Sequence, residues 1–167
     1  MKLAVIADTH GNLSALEAVL RDMEEQGADA VVCLGDVASF GPQPRETLER
    51  VRRLGCPVVQ GNADAELVRP DMADVLRQTA DTSSEAREII SWCARQLDKD
   101  DLAYLAALPL TAARKVGGVT VLAVHGSPRS FDDRIVASTS DEQLGAMLEG
   151  VHASIVVGGH THTQLLR

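Results

Sequence analysis

Five short apolar runs, each ending in a polar pair or triplet, constrain this chain more than any other feature. Lys2 to Ala7 leads into Asp8-Thr9-His10, and Ala30 to Leu34 leads into Gly35-Asp36. Pro57 to Gln60 leads into Gly61-Asn62, Val119 to Val124 into His125-Gly126, and Ser154 to Val157 into Gly158-Gly159-His160-Thr161-His162. Runs of this length, rich in β-branched residues and stopped by glycine, read as buried strands. In open α/β sheets, ligands bind beyond the carboxyl ends of the strands. Two aspartates, one asparagine and four histidines are therefore expected at one edge of one sheet, as a site for two metal ions.

The stretches between the runs read as helices. Asn12 or Ser14 caps a helix reaching about Gln26, with Ser14 and Glu17 at capping-box spacing and Gly27 as its stop. Leu13, Leu16, Val19, Leu20 and Met23 fall on one face of it. Strand, helix, strand makes a right-handed parallel crossover. A second helix runs from about Pro44 to Leu54 and closes at Gly55. From Ala63 to Pro109 the pattern is helical without a strand. One helix there opens at Ser83 or Ser84, and a shorter one is capped by Asp100 or Asp101. This insertion reads as a lid over the site or as plain packing on the sheet, and the two are compatible. Gly117-Gly118, flanked by Thr111 to Val116 and Val119 to Val124, signals a hairpin, so the sheet is mixed. A last helix covers about Asp141 to Glu149, with Ser138, Thr139 and Ser140 as capping residues.

With 167 residues, 45% hydrophobic and 24% charged, the chain suits a single domain with its own core. Aromatic residues make up only 2%, so that core rests on Ala, Val, Leu and Ile. A formal charge of −8 denies the protein the basic face that long nucleic acid requires. Two divalent ions would add local positive charge, so a small anionic substrate is compatible. No apolar run approaches a membrane span, and no charged-then-apolar leader opens the chain. Cys33, Cys56 and Cys93 form no CxxC pair and read as reduced thiols. A cytoplasmic protein is expected.

Taken singly, the polar clusters are weak signals, since Gly-Asp and Gly-Asn are common turns. Asp8 and His10 are two apart, as are His160 and His162, which puts each pair on one side of an extended segment. Paired imidazoles suit a divalent ion. The weight comes from all the clusters agreeing in placement. Only His152 among the five histidines lacks such a setting, and it reads as surface.

In order, Asp8-x-His10, Gly35-Asp36-x4-Gly41, Gly61-Asn62-x-Asp64, His125-Gly126 and Gly158-x-His160-x-His162 resemble the five motifs of the calcineurin-like metallophosphoesterases. Asp8-Thr9-His10-Gly11-Asn12 and His125-Gly126-Ser127-Pro128 are similar to the compact bacterial and archaeal phosphodiesterase branch. The resemblance runs from residue 3 to the last residue. It implies an α/β fold, with mixed β-sheets in a sandwich flanked by helices, as one domain over 1–167 with a helical insertion at about 63–109. It further implies one ion on Asp8, His10 and His162, a second on Asn62, His125 and His160, and Asp36 bridging them. Asp36, Asn62 and His125 would be catalytic as well as ligands. Such donors suit Mn, Fe, Zn or Ni.

Two ions about 4 Å apart lower the pKa of a bridging water and clamp an in-line displacement. The implied reaction is hydrolysis of a phosphodiester or phosphomonoester in a small anionic substrate by a bimetal-activated hydroxide. Asn12, at the start of the first helix, with Arg129 and Arg134 after His125, are the expected phosphate contacts. Solvated loop arginines are the alternative reading of the last two.

Two departures from the family pattern matter. Ala63 stands where many members carry a histidine that serves as candidate general acid. Alkyl leaving groups, which need a proton, are therefore expected to be poor. The chain also stops at Thr163-Gln164-Leu165-Leu166-Arg167, where relatives continue with strands that complete a second sheet. Either the sequence is a piece, or that edge pairs with another chain, possible as a homo-oligomer.

Three other readings compete. A scaffold of the same fold with little turnover is disfavoured by the intact set of seven ligands. A haloacid-dehalogenase-like phosphatase needs a second acid where His10 stands. A structural zinc site lacks accompanying cysteines.

Overall fold

The first two apolar runs form β1 (Leu3–Ile6) and β2 (Ala30–Cys33), paired in parallel from Leu3↔Ala30 to Ile6↔Cys33 in a computed structural model that describes residues 1–69 and 84–167. Between them runs α1 (Leu13–Glu25), which buries Leu16 and Leu20. Its N-cap is Asn12, whose side chain accepts the Ala15 N–H at 3.0 Å. Ser14 and Glu17 lie inside the helix, so their spacing does not mark its start.

The third run flanks β2 through one parallel bridge only, Cys33↔Val58. Pro57 has no N–H to donate, and the Gln60 N–H is diverted to the Pro109 carbonyl at 2.9 Å. The remaining runs build a separate sheet of β3 (Thr111–Val116), β4 (Val119–Val124) and β5 (Ile155–Val157), in that order. β3 and β4 are antiparallel around Gly117-Gly118, whereas β4 and β5 are parallel. The reading of one sheet is therefore corrected to two, packed as the sandwich of mixed sheets that the family resemblance implies. Val32, Leu34 and Val59 of the first meet Ala123 of the second, bordered by Leu3, Ala7, Ala112 and Val157. A parallel sheet needs cover on both faces, and here the second sheet covers one of them.

The other face carries the helices α2 (Pro44–Arg53), α3 (Asn62–Leu67), α4 (Ser84–Gln96) and α5 (Lys99–Ala106). Ile6, Leu16, Leu20, Leu48, Val51, Ile90 and Leu105 form one buried cluster there. Each such side chain contributes about 1.5–3 kcal/mol on burial. The N-cap of α5 is Asp98 rather than Asp100 or Asp101. Its carboxylate accepts both of their N–H groups at 2.9 Å, while Asp101 returns a bond to the Asp98 N–H. Within the expected insertion, the described residues pack Ile90, Cys93, Leu97 and Leu105 into the core. Residues 70–83, Ser83 among them, lie outside the described part.

The last helix, α6 (Asp141–Met147), is capped by Ser140 and buries none of its residues. β1 and β5 are outer strands of their sheets among the described residues, and Val5 and Ile155 are correspondingly 42% and 49% exposed. That differs from the expectation of fully buried strands. No helix among the described residues is long and apolar enough to cross a membrane.

The cysteines provide a check on this packing. Cys33 and Cys93 are 0% exposed, and burial pushes the Cys33 thiol up to about 12. In the native protein at pH 8, an aromatic disulfide reagent is expected to modify half-buried Cys56 slowly and to leave Cys33 and Cys93 intact until denaturant is added. Rapid modification of all three would contradict the burial of Cys33 and Cys93 in one core cluster.

Candidate metal centre

Each strand end delivers its polar residues into one region. Asp8 and His10 follow β1, Asp36 follows β2 and Asn62 opens α3, while His125 follows β4 and His160 and His162 follow β5. The first two loops are stitched together by backbone bonds: Asp8 N–H to Gly35 O at 3.1 Å, His10 N–H to Asp36 O at 2.9 Å, and Gly11 N–H to Val37 O at 2.7 Å. These bonds hold Asp8, His10 and Asp36 at φ of 53°, 44° and 53°. His160 and His162 share the left-handed region at 67° and 53°. For residues with a Cβ this conformation costs roughly 1–2 kcal/mol each. Five strained residues converging on one point mark a functional site.

The side chains form two adjoining groups. In one, His10 Nε2 and His162 Nε2 are 3.3 Å apart, and His162 Nε2 is 3.3 Å from Asp8 Oδ1. In the other, His125 Nε2 lies 3.3 Å from Asp36 Oδ2 and 3.0 Å from Asn62 Oδ1. The same Asp36 oxygen is 3.9 Å from His10 Nε2, so this carboxylate stands between the groups. Its other oxygen accepts the Ala63 N–H at 2.8 Å. His160 stacks obliquely on His125 with ring centroids 5.1 Å apart, and its backbone N–H reaches the Asp8 carboxylate at 3.3 Å.

The arrangement fits cations. His125 Nδ1 is 2.7 Å from the Leu34 carbonyl oxygen, which holds the proton of the neutral ring there. Its Nε2 lone pair then faces an amide oxygen and a carboxylate oxygen, three acceptors with no donor among them. A divalent ion satisfies all three, and nitrogen and oxygen donors without thiolate suit first-row metals. Among the described residues, Asp8, His10 and His162 form one group compact enough for an ion, and Asp8, Asp36 and His125 form another.

Without an ion in place, the groups of the site shift in different directions. Burial pushes Asp36 up, but the His125 hydrogen bond and charge, with the Ala63 N–H and His10, outweigh it and hold the carboxyl below its ordinary value. Burial pulls His125 down, and its bond to Asp36 more than offsets this, leaving the ring above its ordinary value. His10 lies below the ordinary imidazole value, chiefly through burial, as does His160 through burial and the nearby His125. Lowered imidazoles keep their lone pairs free for a metal at neutral pH.

The three expected phosphate contacts stand differently. The Asn12 side chain is engaged in capping α1, although it borders the groove beside His10. Arg129 is paired with Asp133 at 2.7 Å through Nε, so an incoming phosphate would have to compete with that carboxylate. Arg134 is near enough for its charge to lower His160.

Two supporting residues were not given roles from the sequence. Asp64 is fully buried, and its carboxylate accepts the N–H groups of Asp36 at 2.7 Å, Val37 at 2.9 Å and Gly61 at 3.2 Å. Burial and the adjacent Asp36 push it up to about 6. Its place in Gly61-Asn62-x-Asp64 was a usable signal. Ser39, whose hydroxyl sits 3.2 Å from His10 Nδ1, carried none, because that pairing is made between loops. Gly61 is tied to the site sterically: a Cβ there would run into the Asp36 carboxylate.

Comparison with known proteins agrees with this geometry. The family model described as the calcineurin-like phosphoesterase superfamily domain matches residues 1–167. The uncharacterized protein MJ0912 of Methanocaldococcus jannaschii is 32% identical over 127 residues, covering 76% of this chain and 50% of that protein. Phosphodiesterase YfcE of Escherichia coli K12 is 38% identical over 77 residues, which is 40% of this chain and 42% of YfcE. The crystal structure of a metallophosphoesterase from Sphaerobacter thermophilus superposes with a TM-score of 0.73 at 33% identity, over 97% of this chain and 61% of that one. The chain thus spans about half the length of the curated relatives it matches.

Proposed function

The chain belongs to the calcineurin-like phosphoesterase superfamily, and on that footing we propose that it hydrolyses a small phosphodiester using two divalent ions drawn from Mn, Fe, Zn and Ni. The observation that carries this reading is Asp36, a 3%-exposed residue whose one carboxylate oxygen faces both His10 and His125. A buried carboxylate shared by two imidazole groups is the arrangement that a pair of cations requires. Asp8, His10 and His162 would hold one ion, Asn62, His125 and His160 the other, and Asp36 both. Such ions supply Lewis acidity toward phosphate oxygens and make water acidic enough to attack near neutral pH.

The chain's own residues do the rest. The Ala63 N–H and the His125 ring orient Asp36, and the Leu34 carbonyl fixes the His125 ring. Arg134, with its positive charge close to His160, is the side chain we assign to a phosphate oxygen. The protein contacts of a bridging carboxylate argue for turnover and against a pure scaffold, which has no need of strained ligands.

Metal analysis of the purified protein, beside rates on bis-aryl and mono-aryl phosphates with and without chelator, tests the assignment. Bound metal, diester hydrolysis and its loss to chelator are expected. Metal without any turnover would leave a scaffold instead.

Ala63 adds a further expectation. No side chain at that position donates a proton, so rates should fall steeply as the leaving-group pKa rises. Relative to a family member that keeps the acid, the advantage of aryl over alkyl esters is expected to be wider by about 10²–10⁴-fold. Ala63 is only 1% exposed, so a histidine placed there would have to displace packed neighbours. The wild-type dependence of kcat/KM on leaving-group pKa is therefore the cleaner measurement, and a flat line would show that another group supplies the proton.

A further inference from the structure

Phe40 is one of only two phenylalanines in a chain with 2% aromatic residues, yet it takes no part in the core. It is 43% exposed and sits at φ 64°. A turn in this conformation is met without strain by glycine, whereas a bulky side chain is strained there. The fold gains no core burial in return. The backbone that carries the ring is tightly held. Gly41 lies so close to His10 that a Cβ there would collide with the His10 carbonyl oxygen. The Gln43 N–H bonds Gly11 O at 2.9 Å, and Ser39 Oγ meets His10 Nδ1 at 3.2 Å.

Phe40 is thereby held edge-on to His10, with ring centroids 5.7 Å apart and an interplanar angle of 81°. Both rings border a groove of about 530 Å³, a size suited to a small ligand. Its walls are Phe40, Pro42, Ala15 and Val19, and Val19 is itself 47% exposed on α1. The groove opens onto Asp8 and His10. The groove is therefore lined both by charged, metal-suited side chains and by an aromatic ring with aliphatic neighbours.

We propose that Phe40 and Val19 form a seat for a flat aromatic ring carried by the phosphoester, so that the substrate is a nucleotide-like or aryl ester rather than a simple sugar or alkyl phosphate. This rests on the phosphoesterase reading above for what meets the charged side chains. Phe40 is then a specificity-determining residue, and stacking of a ring on an aromatic side chain is worth roughly 5- to 150-fold in affinity.

The test uses the Mn-loaded protein and four probes: adenosine 5′-monophosphate, phenyl phosphate, ribose 5-phosphate and inorganic phosphate. Their affinities are measured by calorimetry for the wild type, Phe40→Ala, Phe40→Trp and Val19→Asn, with metal content recorded for each. Phe40→Ala is expected to weaken the two ring-bearing probes about tenfold and to leave the other two unchanged. Phe40→Trp should restore them, and Val19→Asn should weaken the same pair. A stronger response with the nucleotide assigns the seat to a nucleobase, and a stronger response with phenyl phosphate to an aryl ester. Equal weakening of all four probes, or loss of metal in Phe40→Ala, would make Phe40 a support for His10 and overturn the seat. So would a wild type that binds ring-bearing probes no better than inorganic phosphate. Hydrolysis of bis(p-nitrophenyl) phosphate is followed in parallel. Its absence from a wild type with the expected binding pattern would remove the proposed activity and keep the seat.

Discussion

Asp36→Asn is expected to lower kcat/KM on an aryl phosphodiester by about 10²–10³-fold, the usual effect of removing one preorganised electrostatic group from a catalytic site. The variant keeps the size and most of the packing of the side chain. It loses the negative charge that faces both His10 and His125. The Ala63 N–H still finds an oxygen if the amide turns its carbonyl that way, but an NH₂ group then points at the two imidazoles. The metal content of the purified variant should fall by at least one ion per chain. Metal analysis and steady-state kinetics on the same preparation check both parts. Full metal content with wild-type turnover would remove Asp36 from the centre.

Asp64→Ala should give the largest loss of stability in the site region, about 3–5 kcal/mol. Three backbone N–H groups, of Asp36, Val37 and Gly61, end on this fully buried carboxylate. Each buried donor left unpaired costs about 1–3 kcal/mol, and the three are not additive because the loop relaxes as a unit. Asp64→Asn should cost less. An amide oxygen in the position of Oδ2 still serves Asp36 and Gly61, while its NH₂ faces the Val37 N–H, donor against donor. Denaturant midpoints for the two variants, measured with and without added metal, separate the cases. Equal stability of Asp64→Ala and the wild type would mean that water reaches these donors. The same substitution should also weaken metal binding, because Asp36 would lose the backbone restraint that aims it.

Much of the candidate site was readable in residue order. Apolar runs ending in Asp8, Asp36, Asn62, His125 and His160 are local patterns, and a strand's carboxyl end is the natural place for its polar residues. Helix limits were readable for the same reason: Gly27 and Gly55 stop α1 and α2 because a glycine past the last turn tolerates the left-handed conformation. Cap identity was less secure. Asn12 and Ser14, or Asp98, Asp100 and Asp101, are chemically interchangeable acceptors. Only the φ/ψ of the cap residue itself selects among them.

By itself, then, the sequence determined which residues stand at strand ends, the order of elements and the chemistry of the donors, since these depend on spacing and residue type alone. The tertiary fold settled how the strands divide into two sheets, with β2 taking Val58 through a single bridge and β4 taking β5. Strand partners are chosen by packing between segments far apart in the chain, and short runs of Val, Ile and Ala are equally suited to either sheet. The fold likewise settled that Asp64 restrains Asp36, that the Leu34 carbonyl orients His125 and that Phe40 stands beside His10. Each is a contact across 28 to 91 residues of chain. Local pattern carries no record of contacts at such a distance, because they form only when the loops of both sheets close on one point.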